Sequence, residues 1–246
     1  MRAAAADQLR LLDVAALDAA AARAQHRRRT LPELEQAASL GLRADELADD
    51  IVRAETDDSD LRRDQEKVDA DVELVRSRMQ RDQQRLDTGA VGSPRELSTL
   101  QSEIESLHRR QTELEDAELE VMEQRETVQA RLAELRSTRE EVAGTLASVE
   151  RSRDAALADV DAELETTAAR RTEAAQPLPA DLLALYEKLR ASTGVGAAAL
   201  HRGRCEGCHL QLDTTALNAL RAADPDDVVR CEECRRILVR TDESGL

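Results

Sequence analysis

The sequence predicts a mainly α protein: a long antiparallel coiled-coil hairpin over residues 1–174, followed by a small cysteine-bearing module over residues 175–246. Three observations predict it. The chain is almost free of aromatics, with one Tyr and no Phe or Trp in 246 residues. Apolar residues recur every seven positions on both sides of a glycine–proline break. All four cysteines fall near the end, as two pairs of identical spacing. A single large core of this length would normally draw on aromatics, which bury about 150–250 Å² each. Without them, the economical use of an Arg-, Glu-, Asp-, Ala- and Leu-rich chain is long helices that bury a narrow stripe.

The first stripe consists of Leu40, Leu47, Ala54, Leu61, Val68 and Val75, with Ala44, Ile51, Asp58, Gln65, Val72, Met79 and Leu86 four residues on. These are the a and d positions of a coiled-coil seam. After the break, Leu100, Leu107, Leu114, Val121, Val128, Leu135, Val142 and Val149 form one series. Leu97, Ile104, Gln111, Glu118, Arg125, Leu132, Arg139, Leu146 and Arg153 form the other.

The break itself is Thr88-Gly89-Ala90-Val91-Gly92-Ser93-Pro94. Glycine ends a helix cheaply, proline suits the first turn of the next, and Ser93 with Glu96 three residues on has the pattern of a capping box. A tight turn near 88–94 between two apolar stripes implies antiparallel arms. Facing residues should then have numbers adding to about 182 or 183, as for Leu61 with Val121, Val68 with Leu114 and Ile51 with Leu132. The same rule sets Asp58 opposite Arg125 and Gln65 opposite Glu118. Polar seam residues either fix register or simply interrupt a weak seam. Arms of about 75 residues at ~1.5 Å rise would make a rod on the order of 110 Å long.

Before the hairpin, Leu9, Leu12, Leu17 and many alanines predict a helix to about Arg27, with a kink near residues 29–32 at Pro32. After it, Gln176-Pro177-Leu178-Pro179 stops the second arm, and residues Asp181 to Arg190 suit a short amphipathic helix carrying Tyr186. Asp213 to Leu220 begins with capping residues and predicts one or two helical turns. Ile237-Leu238-Val239 and Val228-Val229 are β-rich runs beside the second cysteine pair.

The pairs are Cys205-Glu206-Gly207-Cys208 and Cys231-Glu232-Glu233-Cys234. C-x2-C spacing lets both thiolates of one turn reach the same Zn²⁺ at ~2.3 Å, and two such turns fill a tetrahedral shell. A filled shell has no position for water or substrate, so the expected cofactor is one structural zinc on a C-terminal zinc ribbon. Two disulfides are the alternative. The start Met1-Arg2-Ala3-Ala4 has no apolar leader, which favours reduced thiols and a cytoplasmic setting. His209 adjoins Cys208 but is surplus to a four-cysteine shell.

The formal net charge is −16. Residues 177–246 hold 9 Lys+Arg against 11 Asp+Glu, so most of the excess lies on the helical arms. A field of this sign repels a phosphate backbone. Any nucleic-acid contact must come from a local patch, for which Arg202, Arg204, Arg230, Arg235, Arg236 and Arg240 are the candidates. The same arginines could meet an acidic protein surface or simply be solvated among Glu206, Glu232 and Glu233. No aromatic stacking platform accompanies them. The chain has no phosphate-binding glycine loop, no dinucleotide fingerprint and no H-E-x-x-H. No membrane span and no small-molecule substrate are expected.

Several segments together resemble a known family. Leu178-Pro179 through Leu185-Tyr186, Gly203-x-Cys205-x-Gly207-Cys208-His209 and Arg230-Cys231-Glu232-x-Cys234-x-Arg236-Ile237-Leu238 are similar to the bacterial C4-type zinc-ribbon proteins that carry an N-terminal coiled-coil hairpin. So are Pro94-Arg95-Glu96-Leu97 and Glu103-Ile104-Glu105-x-Leu107. The resemblance implies an elongated helical hairpin topped by a ribbon, with Cys205, Cys208, Cys231 and Cys234 as the zinc ligands. Members are described as nucleic-acid-binding. Those of Helicobacter and Chlamydia act as adaptors or chaperones for the alternative sigma factor RpoN and in flagellar or type III secretion. One departure is Arg235, where many ribbons have glycine. The function expected is thus a non-catalytic adaptor that docks protein partners through hairpin and ribbon, the alternative being RNA or DNA binding through the ribbon arginines.

Overall fold

The computed structural model describes residues 1–246. Five helices and three short strands follow in the order α1 (Ala5–Arg29), α2 (Pro32–Asp87), α3 (Pro94–Ala175), α4 (Ala180–Thr193), β1 (Ala197–His201), β2 (Arg204–Cys205), α5 (Thr214–Ala222) and β3 (Ile237–Val239). The kink expected near Pro32 is the two-residue break Thr30-Leu31, with Pro32 in the first turn of α2. Packing groups the chain into two compact units, residues 36–149 and residues 1–35 with 150–246.

In the first unit α2 and α3 run antiparallel. Its buried residues are Ala37, Leu47, Ile51, Ala54, Val72, Asp82, Leu100, Ile104, Leu114 and Leu132, and every one falls on the heptad series or its extension by one repeat. Ile51, Ala54 and Leu132 form a cluster with Leu135 beside it, in the predicted register. Arg125 Nε donates to Asp58 Oδ1 at 3.1 Å across the seam. Gln65 departs from the simple pairing. It accepts from Arg125 Nη1 at 3.1 Å, because the long guanidinium reaches one heptad further along α2 than the residue it faces. Arg76–Glu115 and Arg136–Glu55 flank the seam at 2.7 and 2.6 Å. At the turn, Glu96 N–H donates to Ser93 Oγ at 3.3 Å and Glu96 Oε2 accepts from Gly92 N–H at 3.0 Å, a capping box displaced by one residue. Gly89 takes φ 66°, the left-handed conformation glycine adopts without a Cβ penalty.

In the second unit α1 folds back along the C-terminal part of α3. Arg28 pairs with Asp161 at 2.7 Å, Arg27 with Glu163, and Arg171 with Asp18 at 2.7 Å. Leu11, Val14 and Ala15 of α1 join Leu182, Tyr186 and Leu189 of α4 and Ile237 and Val239 of β3 in one core. The physical reason is area. A ribbon of some 50 residues has too little apolar surface to fold alone, and α1 adds Leu11, Val14 and Ala15 to its core. Residues 1–5 extend this as a strap. Val228 N–H donates to Met1 O at 3.1 Å, Ala3 N–H to Asp226 O at 2.8 Å, and Arg2 pairs with Asp224 at 2.6 Å.

The sole aromatic residue is the keystone of this core. Tyr186 is fully buried, and its hydroxyl donates to Asp18 Oδ2 at 2.6 Å. Asp18, 5 % exposed, also accepts from Arg171 Nε at 2.7 Å and lies 3.6 Å from Arg190. Arg171 in turn pairs with Glu187. Burial and the bond to Asp18 push the Tyr186 phenol up, while the bonds to Asp18 and Glu187 push Arg171 up despite its burial. Gly196 passes beside the ring. A Cβ there would lie 2.4 Å from Tyr186 O and 2.8 Å from the ring, so only glycine fits.

Candidate metal centre

The ribbon begins with β1 and β2, an antiparallel hairpin pairing Leu200 with Cys205 and His201 with Arg204. Its two-residue loop, Arg202-Gly203, has φ 49° and 74°, as a type I′ turn requires. β3 adds on the other side of β1 in parallel, giving the order β2-β1-β3. β1 was the strand without a signal in the sequence: Ala197-Ala198-Ala199-Leu200 has no β-branched residue, and it is a strand because both its neighbours are.

The two cysteine turns are built alike. In the first, Cys205 N–H donates to Leu210 O at 3.0 Å and His209 N–H to Cys205 O at 2.7 Å. In the second, Cys231 N–H donates to Arg236 O and Arg235 N–H to Cys231 O, both at 2.9 Å. The residue after each second cysteine is left-handed, His209 at φ 61° and Arg235 at φ 63°. That is the position where glycine is common, and here two bulkier residues accept the strain. His209 is solvent-exposed and outside the sulfur cluster. Gly207 has no such freedom, because a Cβ would lie 2.8 Å from Arg236 Cδ and 2.9 Å from Ala198 Cβ.

All four Sγ atoms lie within 4.8 Å of one another. Cys205 and Cys234 are 3.8 Å apart, Cys208 and Cys231 3.9 Å. A tetrahedron with ~2.3 Å zinc–sulfur bonds has edges of ~3.8 Å, so the spacing fits one Zn²⁺, and it is about twice a disulfide bond. The electrostatics agree. Burial is the largest influence on Cys205 and pushes its thiol up to about 12, against the opposing backbone N–H groups of Cys208 and Gly207. Burial likewise raises Cys231, opposed by the N–H groups of Cys234 and Glu233. At Cys234 burial is outweighed by the backbone and guanidinium of Arg236 and by the neighbouring thiols, and the thiol is pulled down. Backbone donors thus aim at the sulfurs, yet four thiolates so close need a central cation to coexist. The centre is a C4 site for one structural zinc.

The six arginines separate into two groups. Arg236 donates to Val195 O, Gly207 O and Thr193 O at 3.0, 2.9 and 2.8 Å, tying the second cysteine turn to the first and to the end of α4. Arg240 donates to Ala223 O, Asp224 O, Pro225 O and Asp227 O at 2.7–3.1 Å and shapes the loop after α5. Both guanidinium groups donate to backbone carbonyls of the ribbon and its flanks. Arg202, Arg204, Arg230 and Arg235 are exposed. The Asp18–Tyr186–Arg171 network had one hint in the sequence, a lone tyrosine whose hydroxyl would need a partner once buried.

Fold and site together define a class: a coiled-coil hairpin joined to a C4 zinc ribbon. Residues 14–194 match the family described as the CT398-like coiled coil hairpin domain, and residues 204–238 match the C4-type zinc ribbon domain; the chain belongs to this bacterial family. An uncharacterized protein of Mycobacterium tuberculosis is 36 % identical over 242 residues, covering 98 % of both chains. A solved structure from Mycobacterium smegmatis is 33 % identical with a TM-score of 0.86, over 98 % of this chain and 100 % of that one. CT398 from Chlamydia trachomatis shares the fold at 17 % identity, with a TM-score of 0.72 over 96 % of this chain and 98 % of that one. No helix is long and apolar enough to cross a membrane.

Proposed function

We propose that this protein is a non-catalytic adaptor, with the zinc fixing the shape of the ribbon and hairpin and ribbon offering surfaces to protein partners. The observation that carries the reading is the closed sulfur shell. Four thiolates, two on each cysteine turn, use every tetrahedral position, so the metal serves folding rather than chemistry. The helices add to it. Across residues 36–149 only the seam positions of α2 and α3 are buried, and the rest of both helices is open to a partner.

Nucleic-acid binding is the competing reading. Arg236 and Arg240, whose guanidinium groups already donate to backbone carbonyls, lend it less support than the four exposed arginines do. Two measurements on zinc-loaded full-length protein separate the readings. Cross-linking in cells followed by mapping should place partner peptides on the hairpin or ribbon. Titration with RNA and DNA at ~50 mM salt should show no binding. Sequence-tolerant binding that falls with salt at a slope of about −0.7 to −0.9 per phosphate contact, and that weakens in Arg204→Ala/Arg235→Ala, would replace the adaptor reading.

A further inference from the structure

The ribbon carries a groove that adjoins the zinc site at Cys231. It is about 390 Å³ in volume and open to solvent along α5, between the exit of the first cysteine turn and the start of the second. Its apolar lining includes Leu210, Ala216, Ala219, Leu220 and Val229. Ala216 and Ala219 lie three residues apart on one face of α5, and their small side chains leave the room. Leu210 is 49 % exposed, which is unusual for a leucine beside a core whose Leu220 is 3 % exposed.

The charged lining is lopsided. Asp213, Asp227, Glu232 and Glu233 outnumber Arg230 in the lining, with Arg2 reaching Asp227 at 3.7 Å from outside it. Cys231 also lines the groove, and a zinc ion held by four thiolates carries a net double negative charge. A phosphate backbone would be repelled here, and so would a second copy of a chain whose net charge is −16. What complements an apolar trough rimmed by carboxylates is a segment with large apolar side chains flanked by Lys or Arg.

We infer that this groove docks a basic-apolar peptide segment of a protein partner, with a Leu- or Phe-sized side chain seated against Ala216 and Ala219 and cationic neighbours meeting Glu232, Glu233 and Asp213. The inference rests on the adaptor reading and names the chemistry of the partner. The trough is short and the rim is exposed, so affinity is modest, on the order of 10–100 µM, and salt-sensitive.

The test uses zinc-loaded full-length protein and three short dye-labelled peptides: a Leu/Phe core flanked by Lys and Arg, the same core flanked by Glu, and a Ser core flanked by Lys and Arg. Only the first should bind by fluorescence anisotropy. Its binding should shift the amide resonances of Leu210, Ala216 and Ala219. Glu232→Lys/Glu233→Lys and, separately, Leu210→Ser should each weaken it by about tenfold while zinc content stays at one per chain. If charge reversal between Cys231 and Cys234 costs the zinc, Ala219→Arg on the exposed face of α5 blocks the same groove and should weaken binding equally. The inference is overturned by absence of binding at ~50 mM salt, by equal binding of the Glu-flanked or Ser-core peptide, or by zinc-loaded variants that bind like wild type. It is also overturned if RNA or a second copy of the chain occupies the shifted amides. In the cross-linking experiment, partners captured equally by wild type and Leu210→Ser would end the groove while leaving the adaptor. A wild type that captures no partner would end the adaptor, whatever the peptides do.

Discussion

Tyr186 does for its unit what a set of aromatics does in an ordinary domain, and its hydroxyl matters as much as its ring. Asp18 is buried among it, Arg171 and Arg190, and a buried carboxylate that loses a donor carries an uncompensated desolvation cost. Tyr186→Phe keeps the ring and removes the 2.6 Å bond. It should destabilise the unit of residues 1–35 and 150–246 by about 1–3 kcal/mol, the range for leaving a buried acceptor short of its donor. Chemical denaturation followed by hydrogen exchange should locate the loss in α1, α4 and the ribbon. A loss spread evenly over residues 36–149 as well would contradict the packing described.

At the scale of the helix pair, two acidic seam residues behave oppositely. Asp58 is satisfied, accepting from Gln129 at 3.0 Å and Arg125 at 3.1 Å, and these bonds hold its carboxyl below the usual range. A folded pKa below the unfolded value of ~3.9 means the unfolded chain binds more protons there. The stabilisation is therefore present above about pH 4 and is lost as pH falls through the folded pKa. Urea midpoints of wild type and Asp58→Asn should differ at pH 7 and converge towards pH 3. A constant gap would show that the bond, not the charge, is what counts. Asp82 has no such support. It is 8 % exposed at an a-type seam position, its Oδ2 has no hydrogen-bond partner, and Arg85 is 3.8 Å away. Asp82→Leu removes a desolvated carboxylate from the seam, and should stabilise the hairpin by about 1–3 kcal/mol. A thermal midpoint that falls instead would mean that Asp82 guards the register.

Over the whole molecule the zinc site supports more than the ribbon. From the sequence, a hairpin with its own seam should ignore loss of the metal. The structure gives α1, of 25 residues, and α4, of 14, a shared core with β1 and β3. Cys231→Ser, or chelation of the wild type, should release zinc, unfold the ribbon and lower far-ultraviolet helicity as α1 and α4 fray. The seam of residues 36–149 should survive and give a second transition on heating. A single transition with unchanged helicity would place α1 and α4 outside the metal's influence.

The heptad stripes, the turn at Gly89–Pro94, the capping pair Ser93 and Glu96, and the C-x2-C pairs were legible in the sequence because each is a local rule. A period of seven puts residues on one face, and a two-residue gap puts two thiolates on one turn, whatever the rest of the chain does. Asp58 could be set opposite Arg125 for the same reason, since one turn fixes the register of everything beyond it. Only the tertiary structure decided the rest. It placed α1 against the C-terminal part of α3 and the core it shares with the ribbon, made a strand of Ala197–His201, and committed Arg236 and Arg240 to carbonyls far from them in sequence. It also set Asp18 beside Tyr186, 168 residues away. These depend on which surfaces meet in space, and a run of alanines or a lone arginine looks the same along the chain whether it ends in a core, at a strand edge or in water.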